Sequence, residues 1–379
     1  MAGLVAAAAG RRAVREFDID LDAPPETRYN AIVPMFNSTV WGFWEKYFAD
    51  DAAVRDALYS ISDKRGDEDP EMTAEIKGLS DASGLPFKFV KSIQMLYELQ
   101  TLMVPVVNVT KQQAEVAATL PEEYKALARI PWRGPGCTGI IATDVTTGVV
   151  SHARNLDFSP VPFMTHLVFT GIFRKGGVEV FRSQMVAGYV QVITAYKAGP
   201  NGFAIERNTR YPDHPSGNEL MFHNLESGRP LNGWTLRKIC ETQPDYEAAV
   251  NAIATTPYVS TEYAIVSGVR KGTILAKDPD SVAHTQVLGE ANFDERSDYI
   301  IMTNFDFYFH DFREFFDPTG GQIGYPRRVE AQKLLNASAV LTPEVLFNTI
   351  NHKGVLADTI FQAVISVETG LWNVSQPDL

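Results

Sequence analysis

The sequence changes character at one point. Residues 131–136, Pro-Trp-Arg-Gly-Pro-Gly, place two prolines and two glycines in six positions, and no regular structure runs through such a stretch. Before it, stretches such as Thr39 to Tyr59 and Phe87 to Met103 carry apolar residues at helical spacing. After it come short β-rich runs joined by turn sequences. Cys137 to Ala142 and Val149 to Phe158 flank Asp144 to Gly148, Leu167 to Phe173 and Val178 to Met185 flank Lys175-Gly176-Gly177, and Gly188 to Tyr196 and Gly202 to Arg207 flank Gly199-Pro200-Asn201. Many antiparallel strands with helices inserted in blocks predict an α+β fold of stacked sheets covered by helices, opened by a mainly helical N-terminal segment.

The remaining elements follow the same logic. Phe17 to Leu21 alternates apolar and acidic residues, predicting an opening strand that Pro24-Pro25 ends. One helix is expected from Trp234 to Ala254 with Thr235 as its cap, and strands at Tyr263 to Val269, Thr273 to Ala276 and Tyr299 to Asn304. Helices near Arg327 to Leu335 and Pro343 to Asn351 precede a last strand at Thr359 to Val367.

Composition excludes more than it selects. The 379 residues carry a formal net charge of −12 with no concentrated block of Lys and Arg, which argues against a nucleic-acid partner. No apolar run approaches the roughly 18 residues that span a bilayer. In Met1 to Arg12 the positive charges follow the apolar stretch, the wrong order for a secretory signal, so the chain is either intracellular or its signal lies outside this sequence. Sequons at Asn37, Asn108, Asn336 and Asn373 point the other way, toward a secretory route. The seven histidines show no paired metal spacing, and with only Cys137 and Cys240 present a zinc site is not expected. No glycine-rich phosphate loop precedes a helix.

Chemistry concentrates at Cys137. A thiol at the first residue of a strand, directly after a break, sits at a sheet's edge. Were the Gly136–Cys137 bond cut, the cysteine would gain a free α-amine beside its own sulfur, so one residue would supply nucleophile and general base. The plain alternative is a structural cysteine next to a loop. Arg154 and Asp157 follow in Arg154-Asn155-Leu156-Asp157. In a straight strand they face opposite sides, and a bend at the strand end is expected to bring both to one pocket. There Arg154 would lower the thiol pKa and Asp157 would accept a hydrogen bond from the α-amine. The plain alternative is a surface salt bridge. His152 reads as a packed or surface residue, and Cys240 as a helix core residue.

The run CTGIIATDVTTGVVSHARNLDF (137–158) resembles the segment that opens the catalytic chain of the acid ceramidases and N-acylethanolamine-hydrolysing acid amidases. FDIDLDAPPETRYN (17–30) is similar to the opening of their smaller chain, and Gly188-Tyr189-Val190, Glu206-Arg207, Thr303-Asn304-Phe305-Asp306 and Arg327-Arg328 match in order. The resemblance covers about residues 17 to 340. It implies the four-layer αββα sandwich of the N-terminal-nucleophile hydrolases related to bile-salt hydrolase and penicillin V acylase. It also implies autoproteolysis into associated chains 1–136 and 137–379, with Cys137 as nucleophile. Arg154 and Asp157 match the polar pair beside it, Glu206 an acidic residue joined to that network, Asn304 an oxyanion-binding amide and Arg327 a second arginine of the site. The implied reaction is hydrolysis of a fatty-acyl amide, ceramide or N-acylethanolamine. It needs no metal or organic cofactor, brings transient membrane contact, and belongs to a lysosome-like acidic compartment.

Three departures stand out. Gly136 occupies a position where the animal relatives place a bulky apolar residue. The hairpin from Cys137 to Arg154 is one residue longer, and the cysteine pairing the two chains in animal relatives has no equivalent. An aromatic-rich stretch (Phe305, Phe307, Tyr308, Phe309, Phe312, Phe315, Phe316) lies between Asn304 and Arg327, as an acyl-channel lining or a self-packed surface loop. Competing readings are a non-cleaving lipid-binding relative of the same fold and an amidase for bile-salt-like or N-acyl signal conjugates.

Overall fold

The structure, a computed structural model, describes residues 12–102, 121–129, 136–211, 215–291, 294, 296–306 and 325–377. Most of the expected aromatic stretch, from Phe307 to Phe316, lies outside them; Phe305 is buried against Tyr211.

Two sheets carry the fold. The first has the order β1 (Arg12–Ala13), β14 (Leu371–Gln376), β13 (Thr359–Ser366), β4 (Val150–Asp157), β3 (Gly136–Thr143), β12 (Tyr299–Met302). The second runs β11 (Val282–Val287), β10 (Lys271–Lys277), β9 (Glu262–Gly268), β8 (Phe203–Thr209), β7 (Thr194–Lys197), β6 (Val178–Val186), β5 (Val168–Lys175), β2 (Glu16–Asp20). Among the described residues the strand pairings are antiparallel except that of β2 with β5. The β5–β6 hairpin turns on Gly176 (φ 57°) and Gly177 (φ 75°), both left-handed, as a tight two-residue turn requires.

The period-two alternation of β3 sorts its side chains into two cores. Ile141 joins Ile300, Ile265 and Ile274 between the sheets, while Ile140 and Ala142 face Leu335, Leu346 and Ile350 of the outer helices α10 (Tyr325–Asn336) and α11 (Pro343–Ile350). On the far side, α8 (Asn232–Thr242) and α9 (Tyr246–Thr255) cover β6, β7 and β9. Two helix layers outside two sheets make the expected αββα sandwich. The N-terminal helices α1 (Val33–Trp44), α2 (Ala52–Arg65), α3 (Pro70–Ser83), α4 (Phe87–Ile93) and α5 (Leu96–Leu102) add their own aromatic core, with Trp44 and Phe89 rings 4.6 Å apart. Between β4 and β5 lies α6 (Val161–Leu167), and after β8 comes α7 (Pro215–Glu226).

Several expected elements divide. The Thr39 to Tyr59 helix is two helices, because the chain passes through a π-helical turn at Glu45–Ala49 and restarts where the Asp51 side chain accepts from Val54 N at 3.2 Å. Trp234 to Ala254 is likewise two. Pro244 turns Gln243 to extended backbone, Asp245 caps the second helix, and Thr235 lies inside the first rather than capping it. The Gly188 to Tyr196 run becomes strand only at its end, where β7 (Thr194–Lys197) begins.

One buried acid ties stability to pH. Burial pushes the Asp294 carboxyl up to about 6, with Arg328 opposing. Its folded value exceeds the unfolded value of 3.8, so the stability it contributes is present in acid and lost as pH rises through about 6. Glu71 has the opposite sign: burial is outweighed by hydrogen bonds from Arg28 and Lys238, holding it at about 2, so its contribution fails only in far stronger acid. Denaturant titrations are expected to give greater stability at pH 4.5 than at pH 7.5. Asp294→Asn should remove about 2 kcal/mol of that difference, at ~1.4 kcal/mol per pH unit. An unchanged difference in the variant would refute the assignment.

Candidate active site

Cys137 is the second residue of β3 and fully buried. The β3–β4 register places Gly136 opposite Asp157 and Gly139 opposite Arg154. Paired residues share a face, so Cys137 and Arg154 look into the space between the sheets, while Asp157 looks toward the outer helices. The expected bend that would bring Arg154 and Asp157 into one pocket is not there. The two residues hold the cysteine from opposite faces instead.

On the inner face, Arg154 Nη2 lies 3.6 Å from Cys137 Sγ. The same guanidinium donates through Nη1 to Ile193 O at 3.1 Å and Arg207 O at 3.3 Å, and lies 3.9 Å from Glu206 Oε1. Glu206, on β8, is held by His152 Nε2 at 2.8 Å, and His152 Nδ1 is 3.1 Å from Ser267 Oγ. Gly139 makes room for this carboxylate, since a Cβ there would stand 2.8 Å from both Glu206 oxygens.

On the outer face, Arg327 of α10 donates to Cys137 O (2.7 Å), Thr138 Oγ1 (2.9 Å), Asp157 Oδ2 (3.0 Å) and Asn304 Oδ1 (2.7 Å). Thr359 Oγ1 donates to the other Asp157 oxygen at 2.5 Å. Cys137 N donates to Asn304 Oδ1 at 3.0 Å. Asn304 Nδ2 donates to Thr209 O at 2.9 Å. Two donors converge on Oδ1, which fixes the orientation of the amide. Asn304 thus grips the nitrogen of Cys137 with its oxygen, the place where Asp157 was expected. Its second N–H remains the only part of this amide able to meet an oxyanion.

Burial pushes the Cys137 thiol up, Arg154 pulls it down, and Asp157 and Glu206 push it up again, with a further downward pull from Tyr97. The Asp157 carboxyl is likewise raised by burial, against the pull of Arg327. The sulfur is therefore a neutral thiol with a cation poised beside it.

The structure thus brings Cys137, Arg154, Asp157, Glu206, Asn304 and Arg327 together. Sequence reasoning missed Tyr97, whose Oη is 3.7 Å from Sγ, and it gave His152 too small a part. Nothing at helical spacing distinguishes a sulfur-facing tyrosine from a core one. His152, two residues before Arg154 on the same strand face, was legible by alternation. Among the described residues no group of three or more His, Cys, Asp or Glu is placed to hold a metal.

An apolar cavity is lined by Val40, Phe43, Phe158, Met164, Ile193 and Tyr97 among others, and the Tyr97 hydroxyl lies 3.7 Å from the sulfur. A second apolar cavity shares the walls Val40, Ile93, Val186, Ala187 and Tyr189 with it.

An αββα sandwich carrying a cysteine at the head of an interior strand of its first sheet defines an N-terminal-nucleophile hydrolase fold. No protein-family model matches the chain. It is 26% identical over 306 residues, 80% of this chain and 77% of the relative, to an N-acylethanolamine-hydrolyzing acid amidase of Caenorhabditis elegans. The Rattus norvegicus amidase is 28% identical over 92% of this chain and 85% of its own length, and the Homo sapiens acid ceramidase 22% over 95% and 85%. The solved chain of the Caenorhabditis elegans amidase ortholog aligns over 62% of this chain and 94% of its own length, with a TM-score of 0.51 and 26% identity. These relatives are N-acylethanolamine-hydrolyzing acid amidases and acid ceramidases, and the chain is similar to them over most of its length.

Proposed function

We propose that this protein cuts itself between Gly136 and Cys137 and then hydrolyses the amide bond of fatty-acyl lipids. The observation that carries the reading is the arrangement around one residue. The sulfur of Cys137 meets Arg154 and Tyr97, its nitrogen meets Asn304, its carbonyl oxygen meets Arg327, and Tyr97 also lines an apolar cavity. In self-cleavage the thiol attacks the Gly136 carbonyl carbon, its proton passes to the departing Cys137 nitrogen, and water opens the resulting thioester. In turnover the freed amine accepts the thiol proton as sulfur attacks the substrate carbonyl. That proton leaves with the amine product, and water releases the fatty acid. An ordinary α-amine titrates near 8, so it suits the task better than any carboxylate nearby.

The apolar lining suits a lipid tail, of which each buried methylene adds about 0.8 kcal/mol. Among acyl amides the N-acylethanolamines come first, because the amidase relatives are more similar to this chain than the ceramidases. The acid-favouring sign of Asp294 suits work in an acidic compartment. Among the described residues no helix is long and apolar enough to cross a membrane, so lipid access would be by surface contact.

Intact-mass analysis after incubation at mildly acidic pH, followed by a panel of N-acyl substrates varied in head group, tests the reading. Two polypeptides, the second beginning at Cys137, and release of fatty acid are expected. A persistent single chain with no release would favour a lipid-binding module.

Gly136 offers a separate check. Its Cβ would stand 3.0 Å from Asp157 Oδ2 and 3.1 Å from Asp157 Cβ, and that carboxylate is held from both sides. The glycine here answers to space. Gly136→Ala is expected to slow self-cleavage by about 10- to 100-fold, the cost of misplacing a reacting group by around an ångström. Cleavage at the wild-type rate would show that Asp157 yields.

A further inference from the structure

Tyr97 lies in α5, in the segment before the cleavage point, yet its hydroxyl is among the groups nearest the sulfur. It donates to Arg207 O at 3.1 Å, the same carbonyl oxygen that receives Arg154 Nη1 at 3.3 Å. One backbone oxygen therefore orients both groups that face Sγ. The Arg207 side chain returns to the same tyrosine: its guanidinium stacks 4.1 Å from the Tyr97 ring centre. That guanidinium is fixed by Glu98 Oε1 and Glu262 Oε2, each at 2.9 Å, all three side chains being fully or almost fully buried. Glu98 follows Tyr97 directly in the chain. A buried clamp thus seizes α5 at the residue next to the one that touches sulfur, and the Tyr97 ring also stacks with Phe158 at 5.9 Å. The remaining charged groups around the cysteine are Arg154, Asp157, Glu206 and Arg327, so Tyr97 is the neutral donor of the set.

Resting on the proposed cysteine mechanism, we propose that Tyr97 is a catalytic residue whose hydroxyl donates to the Cys137 thiolate, and that Arg207 is the positioning residue that presents it. While sulfur is a thiol, the phenol donates to Arg207 O. When sulfur becomes an anion it outcompetes a carbonyl already shared with Arg154, and turning the O–H toward it requires only hydroxyl rotation. Burial raises the Tyr97 phenol well above its ordinary range, so it stays a donor throughout. The N-terminal segment is then part of the reaction centre after cleavage as well as before it.

The test uses full-length protein after processing, with iodoacetamide as the thiol probe. The rate of Cys137 alkylation is followed against pH by peptide mass analysis, which separates it from Cys240. Tyr97→Phe keeps the ring in the cavity wall and removes the hydroxyl alone. It is expected to move the alkylation inflection up by about one pH unit and to lower kcat about 10-fold with KM within about 2-fold. Arg207→Lys should shift the inflection in the same direction, and the double variant should add little to either. An unchanged inflection and kcat in processed Tyr97→Phe overturns the role of the tyrosine, and additive effects overturn that of Arg207. Wild-type protein that remains a single chain, by contrast, overturns the self-cleavage reading beneath it.

Discussion

A Cys137→Ala chain is expected to stay a single 42.0 kDa polypeptide and to lose hydrolysis of acyl amides altogether. Deleting a covalent nucleophile costs about 10⁶-fold in turnover, and in the proposed mechanism the same sulfur serves both reactions. The substitution removes one buried atom without disturbing the backbone grips, because Asn304 and Arg327 hold the nitrogen and carbonyl oxygen of residue 137 rather than its side chain. The thermal transition should therefore survive while mass and activity report the loss. Cleavage in the alanine chain would place the chemistry elsewhere.

Arg327→Met is expected to be nearly as damaging, for a different reason. Four acceptors share this guanidinium, and one of them is the fully buried carboxylate of Asp157. Removing one member of a buried ion pair costs about 3–5 kcal/mol, because the other charge is left uncompensated. The Asp157 carboxyl, already raised by burial, has Arg327 as its largest opposing influence and should rise further without it. A folded value raised further means stability retained in acid and lost as pH climbs through it, so the variant should be much better folded at pH 4.5 than at pH 7.5. Arg327→Met combined with Asp157→Asn should recover most of the stability and none of the self-cleavage, since Cys137 O remains unheld. Equal stability of the single variant at both pH values would contradict this account.

Both predictions rest on residues the sequence pointed to, but the roles within the site were only partly legible there. The break before Cys137 and the glycine-marked hairpins announced the two-sheet architecture, because turn chemistry is local. Helix ends at Asp51 and Asp245 were harder to see, since each lies within a longer apolar periodicity and only capping geometry separates the pieces. Strand β11 escaped because Val282–Val287 carries weak alternation, and β14 because Leu371–Gln376 has almost none of its residues fully buried. At the site, alternation correctly put Arg154 and Asp157 on opposite faces of β4. The expected bend answered a false requirement, that both touch one pocket. Arg327 removed that requirement by reaching over from a helix. Tyr97 and Glu98 were invisible for a deeper reason: their partners lie 110 and 109 residues away, and no local pattern encodes such a meeting.

The carbonyl oxygen of Cys137 is gripped by a side chain 190 residues further along, and its nitrogen by one 167 residues further along. Contacts so remote in sequence form late, after the loop-closing entropy of the intervening chain has been met. A nascent chain that has reached Cys137 therefore possesses the reactive sulfur but not the hands that hold it. If the chain cuts itself as proposed, premature scission of an unfinished polypeptide would be avoided by the arithmetic of synthesis alone, and a cut at this bond would certify that the last helix layer has docked.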